Sequence, residues 1–192
     1  MRIGVYVFEG AEELDWVGPW EVLTYWAKED PSVEVVTVAR DEGPVRCAKG
    51  LRVLTDHTWA DLGAVDVLVY PGGIGTRGHL GDEDVRAWVR DLAGAGTLMT
   101  SVCTGSLVFA DAGLLDGRPA TTHWRALDEL RDLGDGIQVR DEDRFVDDGD
   151  VVTASGVSAG IDMALHLVAR LGSPDAARSV RRGIQYDPEP PV

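Results

Sequence analysis

The sequence predicts an α/β protein with a largely parallel sheet covered by helices on both faces. Three observations carry that expectation. Short apolar, β-branched runs recur at residues 3–8, 33–39, 65–70, 97–102 and 151–154. Helix-like stretches alternate with them at 21–28, 83–93, 106–112, 125–132 and 159–171, the signature of βαβ units. Residues 1–192 contain no repeat, linker or low-complexity tract, so they are expected to form one domain with a full core.

In chain order, the first strand leads into Glu12-Glu13-Leu14-Asp15 and then a helix. Asp15 suits the N-cap of that helix, and Pro19 suits its first turn. Trp16, Trp20 and Trp26 lie on it, where packing in the core or at an interface explains them better than a ligand cage. Shorter β pieces at 45–47, 51–54 and 137–145 read as edge hairpins. Strand 65–70 runs into Pro71-Gly72-Gly73-Ile74-Gly75, and strand 97–102 into Cys103-Thr104-Gly105. Gly134-Asp135-Gly136 and Asp147-Asp148-Gly149-Asp150 read as turns. Helix 159–171 carries Ile161, Leu165 and Val168 on one stripe. Residues 188–192 are expected to pack as an extended segment.

Composition excludes several classes of partner. The chain is 44% hydrophobic and 27% charged, ordinary for a globular protein, but its net charge is −15. That charge repels nucleic acid and anionic membranes. No apolar run reaches the roughly 20 residues of a membrane span, and the start reads as a strand rather than a leader. Two cysteines, Cys47 and Cys103, make no disulfide framework, so a reducing, cytoplasmic setting is expected. Only Lys28 and Lys49 among the 18 basic residues are lysine. An acid-rich, lysine-poor surface fits either salt adaptation or a GC-rich genome with drift.

Ligands of an open parallel sheet bind beyond the carboxyl ends of its strands. Three such ends carry an acid (Asp15), a pair of bare amides (Gly72 and Gly73) and a thiol (Cys103). Ser101-Val102-Cys103-Thr104-Gly105 resembles a nucleophile elbow with cysteine in the serine position. The helix after it is expected to favour thiolate through its free amides and dipole. The bland alternative is that Cys103 is a small buried hydrophobe. Asp15 can likewise be a cap, a catalytic acid, or both. His123, 20 residues beyond Cys103, is a candidate pocket residue. His57, His79 and His166 read as surface or helix-face residues, and no spacing suggests a metal site.

Together, Glu12-Glu13-Leu14-Asp15, Tyr70-Pro71-Gly72-Gly73, Ser101-Val102-Cys103-Thr104-Gly105, the segment 112–124 and Gly156-Val157-Ser158-Ala159-Gly160-Ile161-Asp162 resemble the ThiJ/PfpI superfamily over essentially the whole chain. Asp15, Thr104 and Ile184-Gln185-Tyr186-Asp187-Pro188 resemble its isonitrile-hydrating branch. Members that resemble proteases carry histidine directly after the cysteine, where this chain has Thr104, so a peptidase is not expected. Related transcription regulators add a helix-turn-helix region, which is not expected of a chain ending at Val192.

The resemblance implies a flavodoxin-like three-layer sandwich of the class I glutamine amidotransferase-like fold. It also implies a homodimer and a cofactor-free hydration of an isonitrile to an N-substituted formamide. Cys103 would be the nucleophile and Asp15 the general acid and base. Thr104 would assist with the amides of Gly73 and Ile74, in a dry pocket lined partly by tryptophan, and Gly72, Gly73, Ile74 and His123 would bind substrate. A glyoxalase- or deglycase-type enzyme acting on α-oxoaldehydes and a cysteine redox sensor are the alternatives; the former branch usually carries glutamate where Asp15 stands.

Overall fold

The central strands are apolar on both faces because both faces are covered. The computed structural model describes residues 1–188, which places residues 189–192 of the expected extended tail outside the described chain. In order, the strands are β1 (Arg2–Tyr6), β2 (Glu34–Ala39), β3 (Val45–Arg46), β4 (Arg52–Val53), β5 (His57–Thr58), β6 (Val67–Tyr70), β7 (Leu98–Val102), β8 (Pro119–Ala120), β9 (Gln138–Val139), β10 (Phe145–Asp147) and β11 (Val151–Ala154). The helices are α1 (Glu13–Glu29), α2 (Glu83–Gly94), α3 (Gly105–Asp111), α4 (Leu127–Leu133), α5 (Ala159–Leu171) and α6 (Pro174–Gly183), with 3₁₀ turns at Ile74–Gly78 and Trp124–Ala126.

The main sheet runs β10-β11-β7-β6-β1-β2-β5, and all its pairs are parallel except the β10–β11 edge. The α/β sandwich expected from the sequence is therefore the one observed. One layer consists of α1, α5 and α6, which pack on one another, and the other of α2, α3 and α4. Strand order reverses at β1, which lies between β6 and β2, and the crevice beyond β1, β6 and β7 is the fold's natural ligand position.

Several local expectations need correction. Helix α1 begins at Glu13 and continues through Gly18 and Pro19. Gly18 is not a break: a Cβ there would meet Ile161 Cγ1 of α5 at 2.9 Å, so glycine permits close helix packing. Trp16 and Trp26, by contrast, are buried in the core as one of their two expected packings has it. Only β3 and β4 form a separate hairpin-like pair. The 137–145 stretch is no hairpin, since β9 pairs in parallel with β8 while Phe145 starts the antiparallel edge strand. His79 is not a surface residue: its ring packs 4.4 Å from that of Phe8, and its Nδ1 lies 2.6 Å from the Tyr70 hydroxyl. Burial holds its pKa down at about 4. No helix among the described residues is long and apolar enough to cross a membrane.

Candidate active site

Cys103 sits at the turn from β7 into α3 with φ of +57°, a left-handed conformation uncommon for a residue with a Cβ. Four hydrogen bonds hold it there. Its amide donates to Ala154 O and Ser155 O at 3.1 and 2.9 Å, and its carbonyl accepts from Thr122 Oγ1 and Ser106 Oγ at 2.9 and 3.1 Å. Gly105 lets this turn lie directly on the end of β6, because a Cβ there would sit 2.4 Å from Tyr70 O. The expected elbow is thus present, and it is wedged against the sheet rather than merely ending a strand.

Asp15 is the third residue of α1 and is fully buried. The N-cap position belongs to Glu12, whose side chain makes no cap bond, so the capping reading of Asp15 is corrected. Its Oδ2 accepts the Gly72 amide at 2.9 Å, and Oδ1 has no hydrogen-bond partner among the described residues. Gly72 separates the acid from the elbow: a Cβ there would lie 2.5 Å from Thr104 N and 2.9 Å from Asp15 Oδ2. Pro19, with no N–H, leaves the Asp15 carbonyl without its usual helical donor four residues on.

The carboxyl and the thiol lie near enough to shift each other's proton affinity. Burial pushes Asp15 up to about 7, partly offset by the Gly72 amide and the Cys103 thiol. Burial, and then the charge of Asp15, push the Cys103 thiol up to about 12, while the amides of Thr104 and Val157 pull it back. The expectation of a resting thiolate is therefore corrected, since desolvation beside an acid outweighs the amides of Thr104 and Val157. The pair can still trade protons, because Asp15 is poised between its two forms near neutral pH and stands beside a protonated thiol.

The expected arrangement of Thr104, Gly73 and Ile74 also changes. Thr104 Oγ1 accepts the Gly73 amide at 3.0 Å and lies 3.1 Å from Thr76 Oγ1, so the Gly73 N–H is already occupied. Ile74 is 78% exposed and does not line the cavity at the thiol. That cavity, about 250 Å³, is bounded by Glu12, Gly73, Arg77, Cys103, Thr104, His123, Arg125, Ala126 and Val157. It contains His123 as expected but no tryptophan. Burial first, then Arg125 and Arg77, lower the His123 pKa, and its Nδ1 accepts the Arg125 amide at 3.2 Å.

Sequence reasoning missed Val157, Arg77 and Arg125. Val157 has φ of +44° and aims its amide at the thiol. Its only signal was its place in the Gly156–Asp162 segment. Among the described residues, no three His, Cys, Asp or Glu side chains form a set that could hold a metal ion.

Comparison with known proteins agrees with this geometry. The chain is 40% identical over 191 residues to isonitrile hydratase of Pseudomonas putida, covering 100% of this chain and 81% of that one. It is 29% identical over 184 residues to the Parkinson disease protein 7 homolog of Danio rerio, with 94% of each chain covered. A crystal structure of a ThiJ/PfpI family protein from Pseudomonas syringae superposes with a TM-score of 0.89 at 33% identity, covering 100% of this chain and 77% of that one. With the DJ-1/PfpI family model matching residues 1–170 around this elbow and its acid, the chain belongs to the DJ-1/PfpI family.

Proposed function

We propose that the protein hydrates isonitriles, R–N≡C, to N-substituted formamides. The observation that carries this reading is the Asp15–Cys103 pair, a buried carboxyl with a pKa of about 7 beside a protonated thiol. The terminal carbon of an isonitrile needs a proton before it becomes a strong electrophile. Asp15 in its acid form donates that proton to carbon, and Cys103 Sγ attacks the same carbon. The thiol proton returns to the new carboxylate, leaving the thioimidate R–N=CH–S–Cys103. Water adds across the C=N bond, with Asp15 taking and returning a proton. The C–S bond then breaks to release R–NH–CHO and the thiol.

The remaining groups support these steps. The amides of Thr104 and Val157 face the sulfur and steady it when it leaves as an anion. Thr104 Oγ1 ties the elbow to Gly73, holding the glycine loop that positions Asp15. His123 lines the entrance as a substrate-binding residue. A thiol held near 12 weighs against a resting redox sensor, because oxidation follows thiolate character. Identity of 40% to an isonitrile hydratase across the whole chain favours the hydratase over a glyoxalase-type reaction. We place residues 1–192 in one domain and take the working form to be a homodimer, which light scattering at micromolar concentration checks.

The deciding experiment incubates the protein separately with cyclohexyl isocyanide and with methylglyoxal. Formamide production from the first and no turnover of the second is the expected result. Turnover of methylglyoxal alone overturns the reading, and turnover of neither leaves the sensor.

A further inference from the structure

The cavity at Cys103 has a feature that the hydration chemistry does not use. In a chain of net charge −15, its rim carries two arginines. Arg77 is neutralised by Glu129 at 2.5 Å, and Glu12 by Lys49. Arg125 differs. Among the described residues its guanidinium meets no carboxylate at ion-pair distance; it lies over the Trp124 ring, 4.7 Å from the centroid. Trp124 is itself 66% exposed, an indole on the surface with little packing to explain it. A guanidinium resting on an aromatic face keeps its charge and its fork of N–H donors.

The pairs Arg77–Glu129 and Lys49–Glu12 cancel, so Arg125 leaves one positive charge at the mouth of the thiol cavity. That charge reaches into the site, since Arg125 and Arg77 both help to keep the His123 ring unprotonated. A compact space of 250 Å³ is about 8 Å across, so any group inside lies within about one Debye length of the rim at physiological ionic strength. An anion approaching this acidic protein is repelled over most of the surface and attracted here.

We propose that Arg125, resting on Trp124, is the specificity residue of the site and binds the carboxylate of a substrate whose reactive carbon reaches Cys103. Resting on the hydratase reading, the substrate class is an isonitrile that carries a carboxylate. The guanidinium fork matches that group with two parallel N–H donors, which a neutral isonitrile cannot use.

A matched pair of probes tests this: isocyanoacetate and its methyl ester, with wild type, Arg125→Gln and Arg125→Lys. For wild type, KM for the acid is expected to be about tenfold below that for the ester, equivalent to about 1.4 kcal/mol, with kcat similar. Arg125→Gln should bring the two KM values together, and Arg125→Lys should keep part of the difference. Equal KM values in wild type, or an unchanged ratio in Arg125→Gln, overturn the proposal while leaving the hydratase reading in place.

A second measurement does not depend on turnover. The rates at which iodoacetate and iodoacetamide alkylate the Cys103 peptide are followed by mass spectrometry. The anionic reagent should gain relative to the neutral one in wild type compared with Arg125→Gln, and the gain should shrink at high salt. A ratio identical in the two proteins refutes the anion site. If these probes and cyclohexyl isocyanide all escape turnover while the alkylation ratio behaves as expected, the hydratase reading falls and the anion site stands.

Discussion

The Gly72 amide donates to Asp15 Oδ2 at 2.9 Å, and the other oxygen of the same buried carboxyl has no hydrogen-bond partner among the described residues. One oxygen is therefore anchored by the glycine loop while its twin is left for the proton chemistry beside Cys103. Replacing Asp15 by asparagine keeps an oxygen for Gly72 and removes the acid. Because Asp15 is not the helix cap, that change tests chemistry more than capping. Turnover of cyclohexyl isocyanide by Asp15→Asn should drop on the order of 10²-fold or more with a cooperative melt retained. Asp15→Glu should keep partial activity. Wild-type turnover in a normally folded asparagine variant would remove Asp15 from the mechanism.

The same carboxyl should leave a mark on stability against pH. Its folded pKa of about 7 exceeds the usual 3.8, so between those values the folded state holds a proton that the unfolded state has released. Stability therefore falls as pH rises from about 4 to 7, and the loss is complete above 7. At about 1.36 kcal/mol per unit, this contribution is a few kcal/mol, and Asp15→Asn lacks it. Urea titrations of both proteins at pH 5 and pH 8 read the difference directly. Parallel stability curves would show that the acid is not raised.

Cys103→Ala should abolish turnover without a large change in melting temperature, because alanine tolerates the elbow's φ about as well as cysteine. Cys47 is buried and its thiol meets Trp16, so Cys47→Ala should cost roughly 1 kcal/mol of stability while retaining most activity. Equal loss of turnover in both variants would sink Cys103 as sole nucleophile.

Two glycine-to-alanine changes in helices should have opposite signs. Gly94, at the end of α2, has nothing within 4 Å of an added Cβ, so Gly94→Ala should stabilise by up to about 1 kcal/mol. Gly105→Ala opens α3 with a Cβ 2.4 Å from Tyr70 O and 2.8 Å from Pro71 O. It should destabilise by more than about 2 kcal/mol and impair turnover by displacing the elbow. Denaturation midpoints that move the same way would contradict the close packing of Gly105 on the end of β6.

Where the period of apolar residues matched one element, boundaries were readable to within a residue or two: β11 and α5 occupy the ranges their patterns predict. The start of α1 was not readable, because Gly18-Pro19 looks like punctuation until Ile161 is seen against it. Helix α6 was hidden by its composition, with Arg178, Arg181 and Arg182 surrounding one fully buried side chain, Val180. The acid and the thiol could be named from loops at strand ends, since topology brings those ends together. Their proton affinities could not, because burial depends on what α1 and the Gly72 loop cover. Val157 and Arg125 were invisible for a similar reason: a backbone amide and an unpaired charge acquire meaning only from their neighbours in space.

The elbow, its acid and its supporting amides come from Asp15, Gly72, Cys103 and Val157, four positions spread across most of the chain. None of these pieces can form the site while any other is out of place. Catalytic output is therefore a reporter of the whole fold, expected to vanish in denaturant in step with the core and not before it. A fragment ending before β11 would lack the Ala154 and Ser155 carbonyls that bind the Cys103 amide, and with them the geometry of the thiol.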